Sequence, residues 1–202
     1  MKIICIGRNY AKHAAEMNAD IPSEPMFFLK PDTALLRELN FYYPDFTKDL
    51  HHEVEVVIKI SKPGKHIAKE HAKNYYTHIG LGIDFTARDI QRECKEKGQP
   101  WEKAKAFDNS AVLSTRFIPK EELDLNNINF NLKINDEIVQ EGSTSDLLFN
   151  FDTLISNVSK YFTLKTGDLI YTGTPEGVGA VSRGDKIEGY IADNKMFVVN
   201  IK

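Results

Sequence analysis

Three acidic residues have the type and setting to hold a divalent cation. In His51-His52-Glu53-Val54-Glu55-Val56-Val57-Ile58-Lys59-Ile60 the apolar residues Val54, Val56, Ile58 and Ile60 recur with period two, which reads as a strand. Glu53 and Glu55 then share its other face, about 7 Å apart at a rise of ~3.3 Å per residue. Like charges so placed repel, and strands disfavour Glu. The pair therefore either lies on the solvated face of an edge strand or meets a compensating charge. A hard cation such as Mg²⁺ supplies that charge through oxygen ligands. Asp84, ending His78-Ile79-Gly80-Leu81-Gly82-Ile83-Asp84, also reads by itself as an ordinary strand-end acid. Grouped with Glu53 and Glu55 it makes an open three-carboxylate site suited to Mg²⁺ or Mn²⁺, with waters completing the shell.

Other residues could act beside such an ion. Arg88 and Gln91 lie three apart on a helix and share one surface, where Arg can grip a carboxylate or keto oxygen as a fork. A solvated helix face has the same spacing. Lys103 and Lys105 lie among aromatics, and either could stabilise developing negative charge; spacing does not separate them. His13 and Glu16 are i, i+3, as a carboxylate-oriented general base or a surface pair would be. The glycine-dense loop Tyr171–Gly179 could cradle a carboxylate or enolate oxygen with its amides and the Thr174 hydroxyl, or be a tight structural turn. It is neither a P-loop nor a dinucleotide fingerprint, since it lacks the Gly-Lys-Ser/Thr of the first and the third glycine of the second.

The elements that position these residues follow from local pattern. Residues 2–7 read as a buried strand, 9–18 as a helix, Met26–Leu29 as a strand and 67–75 as a short helix. Gly80 and Gly82 suggest close approach of a backbone or a ligand. Thr86 reads as the N-cap, with Asp89 at the third position, of a helix that stops at Gly98. Phe130, Leu132 and Ile134 alternate with polar residues, and Asn135-Asp136 turns the chain into Glu137–Glu141, a hairpin. The stripe Phe151, Leu154, Ile155, Val158, Phe162 reads as a helix packed on a sheet. Gly167-Asp168 and Gly184-Asp185 each introduce a strand, and residues 192–195 turn into the last one, 196–201. The sum is a β-rich α+β protein.

Composition bounds the partners. The 202 residues fit one domain, and 42% hydrophobic with 27% charged residues is ordinary globular usage. A net charge of −3 gives no reason to expect nucleic acid or an anionic membrane, and argues against the metal-dependent nuclease that clustered acids and a lysine would also suit. A non-catalytic binding protein is a further class. Cys5 and Cys94 have no disulfide or metal spacing and read as reduced thiols of a cytoplasmic protein. Neither a signal peptide nor a run of roughly 18 apolar residues is seen.

Taken together, five stretches resemble the fumarylacetoacetate hydrolase family: Gly7-Arg8-Asn9-Tyr10 with His13 and Glu16; Phe28-Leu29-Lys30-Pro31; His51-His52-Glu53-Val54-Glu55; Asp84-Phe85-Thr86-Ala87-Arg88-Asp89-Ile90-Gln91; and Thr172-Gly173-Thr174-Pro175-Glu176-Gly177-Val178-Gly179. Gln99-Pro100-Trp101, Lys105-x-Phe107-Asp108 and Gln140-x-Gly142-Ser143-Thr144-Ser145-Asp146 are also family-like. The resemblance implies a mixed β-sandwich roll with short peripheral helices, normally dimeric, and a single catalytic domain over 1–202 whose first 30 residues include a lid helix. It implies Glu53, Glu55 and Asp84 as Mg²⁺ ligands, His13 and Glu16 as a water-activating dyad, and Lys105 as the enolate-stabilising lysine. Arg8, Arg88, Gln91 and Thr174 fall where the family grips a small oxo acid. The implied activity is Mg²⁺-dependent cleavage of a C–C bond in 3-acylpyruvate-type acids through a pyruvate enolate. Oxaloacetate decarboxylation or tautomerisation, and isomerisation of a 2-hydroxyhepta-2,4-diene-1,7-dioate, would use the same site. Two departures bear on this. Asp32 follows Lys30-Pro31 where a small hydroxyl residue is usual, and would disfavour a second substrate carboxylate if it lined the cleft. Ile83 replaces an asparagine before Asp84. The chain is also expected to lack the extra N-terminal domain of larger members.

Overall fold

A computed structural model describes residues 1–17 and 20–202. In chain order the first strands are β1 (Ile3–Gly7), β2 (Met26–Lys30), β3 (Asn40–Phe41), β4 (Leu50–His52), β5 (Val54–Ile60), β6 (Tyr76–Asp84), β7 (Thr86–Ala87) and β8 (Ala111–Leu113). The remainder are β9 (Ile118–Pro119), β10 (Asn129–Ile134), β11 (Glu137–Ser143), β12 (Leu169–Tyr171), β13 (Gly179–Ala180), β14 (Lys186–Ile191) and β15 (Asn194–Ile201). Four short helices accompany them: α1 (Ala11–Glu16), α2 (Arg88–Glu96), α3 (Glu102–Lys105) and α4 (Phe151–Tyr161). Strand exceeds helix, 38% against 22%, so the α+β, β-rich reading stands.

A seven-stranded sheet runs β2-β1-β12-β5-β6-β8 with β9 also on β6; a five-stranded sheet runs β11-β10-β14-β15-β3. Val54, Val56, Ile58 and Ile60 share one cluster with Phe130 and Leu132 of β10, Ile187 of β14 and Val199 of β15. The two sheets are therefore the layers of a sandwich, with α4 adding Leu154 and Val158 to the same core. The opposite face of the seven-stranded sheet buries Ile3, Cys5, Val57, Leu169 and Tyr171. Glu55 has the parity of Val57 and so projects from this second face. A three-stranded sheet, β13-β4-β7, borders it.

Several local expectations hold closely. The β10–β11 hairpin turns on Asn135 and Asp136, both with positive φ (51° and 70°), the conformation of a type I′ turn. Asn150 caps α4 by accepting from the Thr153 amide at 3.1 Å. Cys5 and Cys94 are buried and unpaired. Among the described residues no helix is long and apolar enough to cross a membrane.

Other expectations need correction. Glu53 is not inside a strand: it sits in the break between β4 and β5, and β5 is central rather than at an edge. Thr86 does not cap α2, because it pairs in β7 with His51; the N-cap is Ala87, without a side-chain bond. Asp89 instead accepts from Thr47 Oγ1 at 2.6 Å and the Lys48 amide at 3.0 Å, tying α2 to the segment before β4. Residues 67–75 form a 3₁₀ helix over Lys69–Asn74. The first helix covers only Ala11–Glu16, and Asn18 of the predicted span lies outside the described residues. Of the two readings of Gly80 and Gly82, the close approach of a backbone holds for Gly82: a Cβ there would lie 2.4 Å from the Val112 carbonyl oxygen and 2.6 Å from the Tyr171 ring, while Gly80 meets the Phe117 ring and Ser114.

Candidate active site

The second face of the large sheet gathers the acids. Glu55 projects from the middle of β5; Asp84 ends β6, with the same parity as Gly82, which pairs with Glu55; Glu53 turns in from the β4–β5 break. One ligand oxygen from each of the three lies within 4.8 Å of the others, and all three side chains are buried. Burial pushes the Glu55 carboxyl well above its ordinary range, and the adjacent Asp84 and Glu53 charges push it further. Such a group is short of positive charge. Three oxygen donors converging in this way fit a hard divalent cation.

Basic side chains surround the triad. Arg88 Nη2 donates to Glu53 Oε1 at 2.6 Å, and Nη1 to Gln91 Oε1 at 2.7 Å. Lys105 Nζ bridges Glu53 Oε2 (2.7 Å) and Asp84 Oδ2 (2.8 Å), whereas Lys103, indistinguishable from it by spacing, is exposed. Burial pushes the Glu53 carboxyl up, but Lys105 and Arg88 outweigh it and hold the group well below the usual range. Burial likewise opposes the charge on Lys105, yet Asp84 and Glu53 keep it protonated above the ordinary lysine range.

Lys30 is a partner that sequence reasoning passed over. Its Nζ lies 2.7 Å from Asp84 Oδ1 and also reaches the Lys105 carbonyl and Ser110 Oγ, so it locks α3 against β2 beneath the triad. The pattern of β2 carried a signal, since Met26, Phe28 and Lys30 share the face of Gly7, Cys5 and Ile3.

Two amides of the glycine loop are used within the protein, as its reading as a structural turn has it. The Gly173 amide donates to Glu55 Oε2 at 2.7 Å and the Gly177 amide to Glu16 Oε1 at 3.2 Å. Both glycines have positive φ (103° and 89°), which turns these amides toward the acids at little conformational cost. The two amides thus orient acids of the site itself. Glu16 Oε2 in turn lies 3.1 Å from His13 Nδ1. With an ionised Glu16, Nδ1 carries the proton, and Nε2 is the free acceptor.

Nine of the ten residues predicted for the site line one cleft, and the tenth, Glu16, orients His13. Met17, Met26, Phe28 and Trp101 form its apolar wall, and Lys95 adds a charge. Arg8 enters with φ 56°, a conformation disfavoured for its residue type. Its neighbour Asn9 holds the turn, donating to the Phe149 and Thr172 carbonyls at 3.0 and 2.8 Å and accepting from the Phe149 amide at 2.8 Å. Asp32 is exposed and does not line the cleft, so it places no charge there; Ile83 belongs to the core on the other face.

The sequence and the fold have counterparts among known proteins. The family described as fumarylacetoacetate (FAA) hydrolase C-terminal matches residues 2–201. The chain belongs to the fumarylacetoacetate hydrolase family. Within it, the chain is 46% identical over 191 residues to the mitochondrial oxaloacetate tautomerase FAHD1 of Bos taurus, covering 94% of this chain and 86% of the relative. It is 45% identical over 190 residues to the oxaloacetate tautomerase YcgM of Escherichia coli K12, covering 92% and 86%. Among solved structures, a fumarylpyruvate hydrolase from Pseudomonas aeruginosa in complex with Mn²⁺ and pyruvate superposes with a TM-score of 0.93 at 36% identity, over 100% of this chain and 89% of that one. The protein is thus an enzyme of this family, of the hydrolase or the isomerase and tautomerase kind.

Proposed function

We propose that the chain is a divalent-metal-dependent tautomerase of oxaloacetate-like 2-oxo diacids. The convergence of Glu53, Glu55 and Asp84 beside Lys105 carries this reading, because it suits chemistry that passes through an enolate. The two curated tautomerases, each aligned over more than nine-tenths of the chain, support the substrate. Charge supports it too. Arg8, Arg88, Lys95 and Lys105 line the cleft with the triad, Arg88 and Lys105 in direct contact with it, and a divalent cation would leave a positive excess that a substrate with two carboxylates offsets.

Glu53, Glu55 and Asp84 would hold Mg²⁺ or Mn²⁺, which supplies Lewis-acid polarisation of the 2-oxo group. The chain's own groups then move the proton. Arg88, Gln91 and Thr174 grip the oxo-acid end, while Arg8 and Lys95 favour the second carboxylate. His13 Nε2 takes a proton from the carbon beside the oxo group, and Glu16 stabilises the imidazolium through Nδ1. Lys105 remains an ammonium and stabilises the enolate oxygen electrostatically rather than by giving up its proton. Returned to the oxygen, that proton gives the enol; in the reverse direction His13 takes the enol proton and delivers it to carbon, and either delivery restores the neutral ring. Helix α1, which carries both groups, serves as a lid latched by the Gly177 amide and by Lys12–Glu176 at 3.3 Å.

The His13–Glu16 dyad specifically favours a second reading, since the same Nε2 can activate water against the distal carbonyl of a 3-acylpyruvate. Cleavage would leave a pyruvate enolate held by the same Lys105. Following enol absorbance of oxaloacetate, and cleavage of acetylpyruvate, with Mg²⁺ present separates the two. Enol–keto equilibration no faster than with Mg²⁺ alone would overturn the tautomerase reading, and acetylpyruvate cleavage in that case would favour the hydrolase.

A further inference from the structure

Gln140, on β11, has no role in the reaction above, yet its whole hydrogen-bonding capacity is spent on the segments around the site, His52 and Val54 flanking Glu53, and Thr174 and Pro175 of the glycine loop. The side chain is 1% exposed. Its Oε1 accepts from the Val54 amide at 3.0 Å and from His52 Nδ1 at 2.8 Å. Its Nε2 donates to Thr174 Oγ1 at 2.9 Å and to the Pro175 carbonyl at 3.1 Å. The amide cannot be turned over, because the Val54 backbone partner offers only an N–H and the Pro175 partner only a carbonyl. Two consequences follow: His52 carries its proton on Nδ1, and Thr174 Oγ1 receives a hydrogen bond. Among the described residues the Thr174 hydroxyl donates its own proton to nothing, and Thr174, 3% exposed, lines the cleft.

We propose that Gln140 is a positioning residue that makes the Thr174 hydroxyl a donor into the cleft, toward a substrate carboxylate oxygen. By holding the Val54 amide with its other end, it also keeps that donor in register with Glu53, the preceding residue. A neutral hydroxyl can face either way; an amide proton fixed on its oxygen removes one choice. This rests on the reading that the cleft takes a 2-oxo acid.

The variant Gln140→Glu keeps the size of the side chain but puts a carboxylate oxygen beside Thr174, which draws the hydroxyl proton away from the cleft. Oxalate, titrated calorimetrically in the presence of Mg²⁺, presents carboxylates and undergoes no reaction. Gln140→Glu is expected to weaken oxalate about tenfold, Thr174→Val to do the same, and the double variant to lose no more than either. Gln140→Met, which removes the donor without supplying an acceptor, is expected to lose less, and nothing once Thr174 is Val. It keeps the test open if Gln140→Glu fails to fold. Wild-type oxalate affinity in Gln140→Glu, a loss that persists undiminished with Thr174→Val, or absence of oxalate binding to the unaltered protein overturns the inference. Oxaloacetate turnover measured alongside separates the two readings. No turnover with intact oxalate coupling rejects the reaction, and turnover with additive oxalate losses rejects only the role of Gln140.

Discussion

Lys105 bridges two of the three acids that would hold the metal, so its removal changes both chemistry and stability. Lys105→Met would leave Glu53 and Asp84 buried with less compensation, a change that costs about 3–5 kcal/mol when one partner of a buried pair is deleted. A divalent cation held by the triad would offset the same carboxylate charges. Thermal melts should therefore show a large fall in Tm without metal and a substantially smaller gap with saturating Mg²⁺; an equal gap in both conditions contradicts the shared role. His13→Ala should lower turnover on the true substrate by roughly 10²–10⁴-fold while leaving Mg²⁺ affinity, read by calorimetry, near that of the unaltered protein. At this scale the sequence was most informative where charge violated the local pattern. Glu55 stood out because an acid on the face of an apolar strand demands a partner. Glu53 belongs with it, although the interruption between β4 and β5 rather than strand periodicity delivers it. Lys105 could not be told from Lys103 by spacing, because helix α3 is only four residues long and what buries one of them is the distant pair Glu53 and Asp84. Gln140 and Lys30 carried no role in the reading because their meaning lies in partners 34 to 88 residues away.

Helix α2 shows how one element is aimed. Its first residue, Arg88, bonds Glu53, and its next, Asp89, is gripped by Thr47 and the Lys48 amide. The expected capping box was wrong because Thr86 is taken by β7, so the acid at the helix start serves tertiary contact instead. Burial, the largest single influence, raises the Asp89 carboxyl, but the hydrogen bonds from the Lys48 amide, the Thr47 hydroxyl and the Ile90 amide together outweigh it and hold the group below its ordinary value. A carboxyl depressed in the fold contributes stability above its unfolded pKa and loses it as the pH falls through its folded pKa. Asp89→Asn is therefore expected to destabilise the protein by about 1 kcal/mol at neutral pH. The gap should narrow as pH drops below about 4, where Asp89 begins to protonate in the unfolded chain while the folded one stays ionised to lower pH. Urea midpoints at pH 7 and pH 3.5 check this, and a pH-independent gap would contradict it. Because Asp89 aims Arg88, the same variant should weaken oxalate modestly at neutral pH.

The whole molecule separates its core from its chemistry by using the two faces of one sheet. Period-two alternation on β5 sends Val54, Val56, Ile58 and Ile60 into the sandwich and Glu55 into the cleft. That division was legible in the sequence, as were the hairpin at Asn135-Asp136 and helix α4, since each depends on neighbours within a few residues. The order of strands was not: β1 lies beside β12, and β3 beside β15, across more than 150 residues. Gly189 of β14 tests the separation directly. An added Cβ there would lie 2.3 Å from the Phe197 ring and 2.9 Å from Leu81 Cδ2, where the five-stranded sheet meets the seven-stranded one. Gly189→Ala should thus cost about 1–3 kcal/mol through overpacking, read as a lower urea midpoint with an unchanged slope. The strain falls on the sandwich face, whereas Glu55 and Asp84 project from the other, so oxalate affinity of the folded fraction at 25 °C should stay within about twofold of the unaltered protein. A stable variant that binds oxalate poorly would mean that packing between the sheets sets the spacing of the acids, and that the two faces are not independent.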